Sequence, residues 1–197
     1  MKNDSPVEKS IVVYDSSVLY PAPLRDLLMW LALADLFYAK WTDAIHDEWT
    51  RSVLEDRPDL TREKLDRTRQ LMNVKVPDAL VVGYEPWIER LVLPDVDDRH
   101  VLAAAIEAQA DVIVTFNLKD FPPPVLNPYQ IQAQHPDEFI RDLIEQSSKA
   151  VLEAVRNHHD SLQRPPKTKA QYLETLRKQR LQHAAELIER LWVDAID

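Results

Sequence analysis

The chain has 197 residues, 45% of them hydrophobic and 29% charged, with a formal net charge of −9 at pH 7; these values are ordinary for a folded globular protein and do not indicate an intrinsically disordered one. The chain has no cysteine, which excludes disulfides, thiolate zinc sites and cysteine nucleophiles, and its single glycine excludes the glycine-rich loops that bind nucleotide phosphates. The acidic charge argues against binding nucleic acid through a broad basic face, but it is compatible with a nuclease whose metal ions bridge carboxylates to phosphate.

Neither the N-terminus nor the most apolar stretch has the pattern of a targeting or membrane segment. The opening sequence MKNDSPVEKS lacks the apolar core of a secretory signal peptide. The longest apolar stretch, residues 27–39, contains Asp35 and is shorter than the ~20 residues that span a bilayer. We therefore expect a soluble, cytoplasmic protein that does not enter a membrane.

The first part of the chain alternates short β-branched runs with amphipathic helices, which is typical of an α/β fold with a parallel sheet. Residues 11–19, IVVYDSSVL, predict a buried strand that ends at Asp15 and is followed by the hydroxyl groups of Ser16 and Ser17. The elements predicted next are an apolar helix at residues 27–36, a short strand at residues 38–41, a helix capped by Thr42 or Asp43 that carries Glu48, and a helix at residues 61–73.

Residues 91–121 carry most of the functional interpretation. Apolar residues at helical spacing follow Asp98, which places this carboxylate in the first turn of a helix. The run VIV at residues 112–114 predicts a fully buried parallel strand. Ligands of open α/β sheets bind beyond the carboxyl ends of the strands, and the loop at that end of this strand carries three polar residues, Thr115, Asn117 and Asp120.

The chain changes character after this loop. Three consecutive prolines at residues 122–124 end the segment, and residues 129–131 are predicted to form a last edge strand. From residue 136 onward, apolar residues recur at helical spacing with an interruption at Pro165 and Pro166. We therefore predict a sheet domain at residues 1–132 and an all-helical extension at residues 133–197.

Four acidic residues lie where a parallel sheet would bring them together, namely Asp15, Glu48, Asp98 and Asp120. Carboxylate oxygens are the ligands that Mg²⁺ and Mn²⁺ prefer. Carboxylates held close together repel one another, so a cluster without a cation would be driven toward protonation. The sequence therefore predicts a divalent-metal site.

Each acid also has a separate structural explanation. Asp98 could stabilise a helix N-terminus, since Asp95 and Asp98 have capping-box spacing. Asp15 and Asp120 could be turn residues after strands, where Asp is common. Glu48 could be one solvated charge on a charged helix. The joint pattern favours the metal site over these four independent explanations.

Histidine and tryptophan give no second site. The six histidines lack metal-binding spacing, and we expect them at the surface, with His100 near the acids. The five tryptophans stand at mostly apolar positions, so we expect them in the core rather than as platforms for stacking bases: Trp30, Trp41, Trp49, Trp87 and Trp192.

The order of VVYDSSVL, HDEW, DDRHVLAAAI and VTFNLKDF resembles that of PIN domains, in particular the VapC-type ribonuclease toxins of bacterial toxin–antitoxin pairs. The resemblance covers residues 11–132. It implies a three-layer α/β/α fold with a parallel sheet, followed here by the helical extension. It also implies an endoribonuclease dependent on Mg²⁺ or Mn²⁺ that cleaves tRNA or rRNA, forms a homodimer and is held inactive by a VapB-like antitoxin.

Carried over by position, the resemblance assigns roles to individual residues. The implied metal ligands are Asp15, Asp98 and Asp120, which act as catalytic acids together with Glu48. Hydroxyl or amide groups that support the site are implied at Ser17, Thr115 and Asn117. The roles of two further acids stay open between a second ion and none, Asp95 and Asp97. Three basic residues near the motifs could hold phosphates, although exposed basic residues are usually only solvated: Arg25, Arg99 and Lys119.

Two other functions fit part of the sequence. The same fold could serve as a non-catalytic module that binds protein or RNA, but such a module would be expected to lack one of the acids, and all four are present. A phosphatase of the haloacid dehalogenase type also begins with a strand that ends in Asp. That class requires a second Asp two residues later, where this chain has Ser17.

Overall fold

The computed structural model describes residues 9–194, and the side chain of residue 194 is not described. Four strands form one sheet in the order β2-β1-β3-β4, and each neighbouring pair is parallel. The strands are β1 (Ile11–Tyr14), β2 (Tyr38–Lys40), β3 (Val112–Val114) and β4 (Gln132–Gln134). The predicted parallel sheet is therefore confirmed.

Helices connect the strands and cover the sheet. In chain order they are α1 (Ser16–Leu19), α2 (Ala22–Leu33), α3 (Asp43–Asp56), α4 (Arg62–Lys75), α5 (Glu85–Ile88), α6 (Arg99–Glu107), α7 (Pro123–Leu126), α8 (Pro136–Ser161), α9 (Lys169–Lys178) and α10 (Gln182–Asp194). Among residues 9–194, no helix is both long and apolar enough to cross a bilayer.

The central strand β1 shows why the fold has three layers. Successive side chains of a strand point to opposite faces of the sheet, yet Val12, Val13 and Tyr14 are all fully buried. Helix α6 packs against β1 and β3, and the Tyr14 hydroxyl donates a hydrogen bond to the Leu28 carbonyl of α2 at 3.2 Å. Both faces are covered, which confirms the predicted α/β class.

The C-terminal helices pack on the sheet domain. Helix α10 packs against α8 and α9, and α8 packs against α2. Phe37, just before β2, meets Phe139 of α8 edge to face, with ring centroids 5.0 Å apart. The buried Asp137 carboxylate of α8 caps α10 by accepting hydrogen bonds from the backbone N–H groups of His183 and Ala184. The extension and the sheet domain therefore share one core, and β4 continues two residues past the boundary predicted at residue 132.

The predicted edge strand at residues 129–131 is wrong in position. Residues 127–129 form a 3-10 turn, and the edge strand β4 follows it. Pro128 fixes a turn-compatible backbone angle, and Gln130 then adopts a left-handed conformation with φ of 61°. The turn therefore occupies the predicted strand position, and extended backbone starts only after it.

The expectation that the histidines lie at the surface is wrong for two of them. His46 is buried between Trp41 and Trp49, and its Nδ1 accepts a hydrogen bond from Trp49 Nε1 at 3.0 Å. His158 is buried beside Tyr172, with His158 Nδ1 and the Tyr172 hydroxyl 3.0 Å apart. Burial lowers the pKa of each imidazole to about 4, so both are neutral packing residues at neutral pH.

Candidate active site

Asp15 lies at the carboxyl end of β1, where the chain leaves the sheet. Its side chain is only 1% exposed, and its backbone N–H donates to the Val114 carbonyl at the end of β3. One carboxylate oxygen, Oδ2, accepts hydrogen bonds from Ser17 Oγ at 2.5 Å and Thr115 Oγ1 at 2.7 Å. Among residues 9–194, the other oxygen, Oδ1, has only a long 3.4 Å side-chain contact, with Ser16 Oγ. Two hydroxyls thus orient the carboxylate and leave Oδ1 available to a ligand.

Burial acts on the charge of this carboxylate. It raises the pKa of Asp15, the hydrogen bonds from Ser17 and Thr115 oppose that rise, and the negative charge of Glu48 adds to it. The net direction is upward. A group that carries negative charge in so dry a position is stabilised by a nearby cation.

The loop after β3 closes a hydrogen-bond network around Asp15. Thr115 is fully buried, and its Oγ1 accepts from the Asn117 backbone N–H at 2.9 Å while it donates to Asp15. Ser17 Oγ accepts from the Phe116 backbone N–H at 3.1 Å. The Asn117 side chain is exposed, so its backbone N–H is its contribution to the network. The loop thereby fixes both hydroxyls that orient Asp15.

Glu48 reaches the same region from α3. Thr42 caps this helix, since its hydroxyl accepts the Ile45 backbone N–H at 3.1 Å. Glu48 Oε2 lies 3.3 Å from His100 Nε2, but it is buried and has no aligned hydrogen-bond partner in the described chain. Burial by itself raises the pKa of Glu48; His100, the Ser16 hydroxyl and Arg51 outweigh burial, and the net pKa is lowered. Glu48 is therefore ionised, with one oxygen unsatisfied.

Asp98 occupies the N-cap position of α6, yet its side chain makes no capping hydrogen bond. The helix-capping explanation for this residue therefore has no support in the geometry. Burial and then the charges of neighbouring acids raise its pKa from the ordinary value of 3.8 to about 7. The acids responsible, in order of effect, are Asp15, Asp95, Asp120 and Glu48.

Asp120 completes the acidic group from the other side of the β3 loop. It ends a 3-10 turn at Leu118–Asp120, is mostly buried, and its backbone N–H donates to the Asn117 carbonyl at 2.9 Å. The structure thus gathers all four predicted acids beyond the carboxyl ends of β1 and β3.

The arrangement fits a hard divalent cation in its chemistry more than in its present geometry. Among residues 9–194, no three carboxylate or imidazole groups are close enough together, as they stand, to hold one ion. The donors are nonetheless oxygen atoms, Glu48 Oε2 is buried with no aligned hydrogen-bond partner in the described chain, and burial together with the neighbouring acids raises the pKa of Asp98. Side-chain rotations that draw the acids around a bound cation would offset their repulsion and give Glu48 Oε2 a partner.

The other predicted residues fall at different places. Asp95 Oδ1 accepts the Asp97 backbone N–H at 2.9 Å, so Asp95 shapes the turn before α6, and both acids are exposed. Lys119 is 86% exposed and lies 3.9 Å from Asp120 Oδ1. Arg99 is half-buried, and its Nε has no hydrogen-bond partner in the described chain. A phosphate-binding role for Lys119 and Arg99 stays a prediction.

Arg25 does not fit its predicted role. Its side chain is buried, its Nη1 donates to the Leu19 carbonyl at 2.8 Å, and its guanidinium lies over the Trp49 ring at 4.5 Å. This guanidinium is committed to the interior of the sheet domain. We therefore remove Arg25 from the phosphate-binding set.

Sequence reasoning missed two parts of the site. Ser16, which lies next to both Asp15 and Glu48, could have been recognised from the paired serines directly after Asp15. The Phe116 ring also carries two unpredicted neighbours, His135 at 5.1 Å and the Arg180 guanidinium at 4.7 Å. These contacts join distant parts of the chain, and no local pattern points to them.

The raised pKa of Asp98 predicts pH-dependent stability in the metal-free protein. Folded Asp98 keeps its proton up to about pH 7, whereas the unfolded chain releases it near the ordinary value of 3.8. The folded state binds the extra proton in that interval, so the contribution of Asp98 to stability falls as the pH rises through it. We expect the melting temperature of Asp98→Asn, relative to wild type in EDTA, to be higher at pH 8 than at pH 5.

The buried histidines also make stability depend on pH, but their contribution cancels in this comparison because wild type and Asp98→Asn both contain them. Mg²⁺ should raise the melting temperature of wild type more than that of the variant at pH 8, since the cation replaces the lost proton. If the difference in melting temperature between the two proteins in EDTA were the same at pH 5 and pH 8, the clustering of the acids would be contradicted.

Comparison with known proteins adds two family matches. The family model described as PIN domain matches residues 11–119, and the model described as VapC50 C-terminal domain matches residues 136–190. A Mycobacterium tuberculosis protein named "Putative ribonuclease VapC50" is 45% identical over 89 residues, which is 45% of this chain and 53% of the relative. The match therefore spans about half the length of that curated relative. No solved structure gives a significant match.

Proposed function

The chain belongs to the PIN domain family, whose model matches residues 11–119 of its 197, and from this membership and the acidic site we propose that it is a divalent-metal-dependent endoribonuclease. One observation carries the proposal: Asp15, Glu48, Asp98 and Asp120 lie in one region beyond the ends of two parallel strands, where burial and then the charges of the neighbouring acids raise the pKa of Asp98 to about 7. A cation between these groups would stabilise them and supply the chemistry of phosphodiester hydrolysis.

Each residue has a defined task in this proposal. Asp15, Asp98 and Asp120 would hold Mg²⁺ or Mn²⁺, which when bound lowers the pKa of a water molecule and neutralises charge on the phosphate. Ser17 and Thr115 keep Asp15 Oδ2 occupied, which leaves Oδ1 available to a ligand. Glu48, ionised and with Oε2 unsatisfied, accepts a hydrogen bond from the attacking water and orients it.

The substrate and the biological setting belong to the proposal as well. The curated relative is named a ribonuclease, and the second family model covers the helical extension, which supports RNA as substrate and the VapC type within the family. We propose that the protein cleaves tRNA or rRNA in the cytoplasm as the toxin of a VapBC-type pair, as a homodimer paired with a VapB-like antitoxin. The non-catalytic alternative has less support, because the four acids are present and clustered.

Cleavage of a mixed tRNA and rRNA pool by the purified chain tests the proposal. We expect defined cleavage products with Mg²⁺ or Mn²⁺ and none with EDTA, with activity restored when the metal is returned in excess. The comparison of the two metals reports which ion serves the site. Products that form equally well in EDTA, or no products from metal-loaded protein shown to be free of antitoxin, would contradict it.

A further inference from the structure

One short part of the extension has a net positive charge, unlike the chain as a whole. Residues 164–180, called here the basic segment, contain six Lys or Arg and one Glu, a local charge of +5 in a chain whose total is −9. The rest of the chain therefore has a formal charge of −14. The basic residues are Arg164, Lys167, Lys169, Arg177, Lys178 and Arg180. A polyanion approaching the acidic site is repelled by most of this surface and attracted by the basic segment.

Arg180 brings the end of the basic segment to the loop after β3, residues 115–120, called here the catalytic loop. Its guanidinium carbon lies over the Phe116 ring, 4.7 Å from the centroid. The Phe116 backbone N–H donates to Ser17 Oγ, and Ser17 Oγ donates to Asp15 Oδ2. Only two residues therefore separate Arg180 from the buried acid of β1. The His135 ring also packs against Phe116, with ring centroids 5.1 Å apart. Burial and then the charge of Arg180 lower the pKa of His135.

Arg180 is free to bind an external anion. It is exposed, and no carboxylate of the described chain lies within 4.0 Å of its guanidinium, whereas Arg177 in the same segment pairs with Glu189 at 2.6 Å. The contact with Phe116 restricts the guanidinium, and its donors make no hydrogen bond to any other residue among 9–194. A guanidinium held in this way is suited to paired hydrogen bonds with phosphate.

The backbone at Arg180 is costly for an arginine. The turn between α9 and α10 has the hydrogen bonds of a Schellman motif, from the Leu181 N–H to the Leu176 carbonyl and from the Arg180 N–H to the Arg177 carbonyl. The left-handed position of this motif usually holds glycine, and here Arg180 occupies it with φ of 63°. The turn would suit glycine better, so the backbone at this position gives no reason for an arginine side chain.

We propose that the turn between α9 and α10 is an RNA-binding part of the active site, in which Arg180, stacked on Phe116, binds a backbone phosphate next to the scissile bond. The proposal rests on the ribonuclease function proposed above and adds a role for the helical extension. The remaining exposed charges of the basic segment, Arg164 and Lys178 among them, would attract the strand without fixing its position.

The test measures RNA binding separately from cleavage. In a full-length Asp15→Asn background that does not cut, affinity for a fluorescein-labelled single-stranded RNA is followed by anisotropy over a range of salt concentrations. We expect Arg180→Gly to weaken binding by about 5- to 10-fold and to reduce the slope of log K against log salt by about 0.7, the value for one lost phosphate contact on a single strand. Arg180→Lys should keep most of the slope.

The choice of glycine separates binding from folding. Glycine suits the left-handed position, so Arg180→Gly should melt at the same temperature as the parent or higher. Arg190→Ala is the matched control, because Arg190 is also exposed on the extension but lies beside Glu186 and Glu189 on α10, and we expect it to bind RNA like the parent. In the cutting background, Arg180→Gly should raise KM more than it lowers kcat.

The outcomes distinguish the two proposals. Unchanged affinity and slope in Arg180→Gly, or an equal loss in Arg190→Ala, would overturn the role of Arg180 while cleavage by wild type still stood. An acidic protein partner would then be the better explanation for the free guanidinium. A wild type that binds RNA through Arg180 but cuts nothing would instead overturn the ribonuclease function alone.

Discussion

Asp15→Asn is expected to lower the rate of RNA cleavage by about 10³-fold or more. The amide removes the negative charge that would hold the cation. The hydroxyls of Ser17 and Thr115 can still donate to the remaining oxygen, so the network around position 15 and the fold should persist. The measurement is the single-turnover rate on tRNA with saturating Mg²⁺, together with the melting temperature of the variant.

Asp111→Asn is the matched control for this substitution. Asp111 precedes β3 at the opposite end of the sheet, where its Oδ2 accepts the Ile11 backbone N–H at 2.8 Å. An asparagine oxygen can keep that hydrogen bond, so cleavage should remain at the wild-type rate. If Asp15→Asn cut RNA nearly as fast as Asp111→Asn, the acidic cluster would not be the reaction centre.

Phe139→Ala is expected to destabilise the whole chain by about 3–5 kcal/mol, the range for deleting a buried phenylalanine. Phe139 is 4% exposed and packs edge to face on Phe37 of the sheet domain, so its removal leaves a cavity where the extension meets the sheet domain. Urea denaturation followed by circular dichroism measures the loss. We expect one cooperative transition for both proteins, because the two parts share a core.

The control for this experiment is Glu153→Ala on the exposed side of α8, which should change the free energy of unfolding by less than about 0.5 kcal/mol. Two separate transitions, of which Phe139→Ala shifts only the one that belongs to the extension, would show that the helices form an independent domain. In that case the contact between Arg180 and Phe116 would also lose its rigid support.

The central strands β1 and β3 were predictable because they are short, rich in β-branched residues and almost entirely buried. The runs at β1 and β3 have no polar residue on either face, which distinguishes a central parallel strand from a half-exposed one. The edge strand β4, QAQ, lacks that signal, so the edge strand was predicted at the preceding, more apolar residues 129–131. The turn chemistry of Pro128 and Gln130 decided its true position.

The acids were predictable for a related reason. Residues that follow buried parallel strands lie at one edge of the sheet, so the pattern alone could place Asp15, directly after β1, and the loop after β3 that carries Asp120. No comparable rule predicts from the sequence whether a basic side chain will be buried or will reach the site. Arg25 is buried over Trp49, whereas Arg180, more than sixty residues beyond the catalytic loop in sequence, reaches it through tertiary packing.

Titration of Mn²⁺ into the purified protein, followed by calorimetry in the absence of RNA, tests most directly whether the four acids form a metal site. We expect saturable binding to wild type and to Asp111→Asn, and binding at least about 10-fold weaker to Asp98→Asn, because that substitution removes a carboxylate whose pKa burial and the neighbouring acids raise to about 7. Equal affinity in wild type and Asp98→Asn, or no binding to wild type, would contradict the metal site and the mechanism built on it.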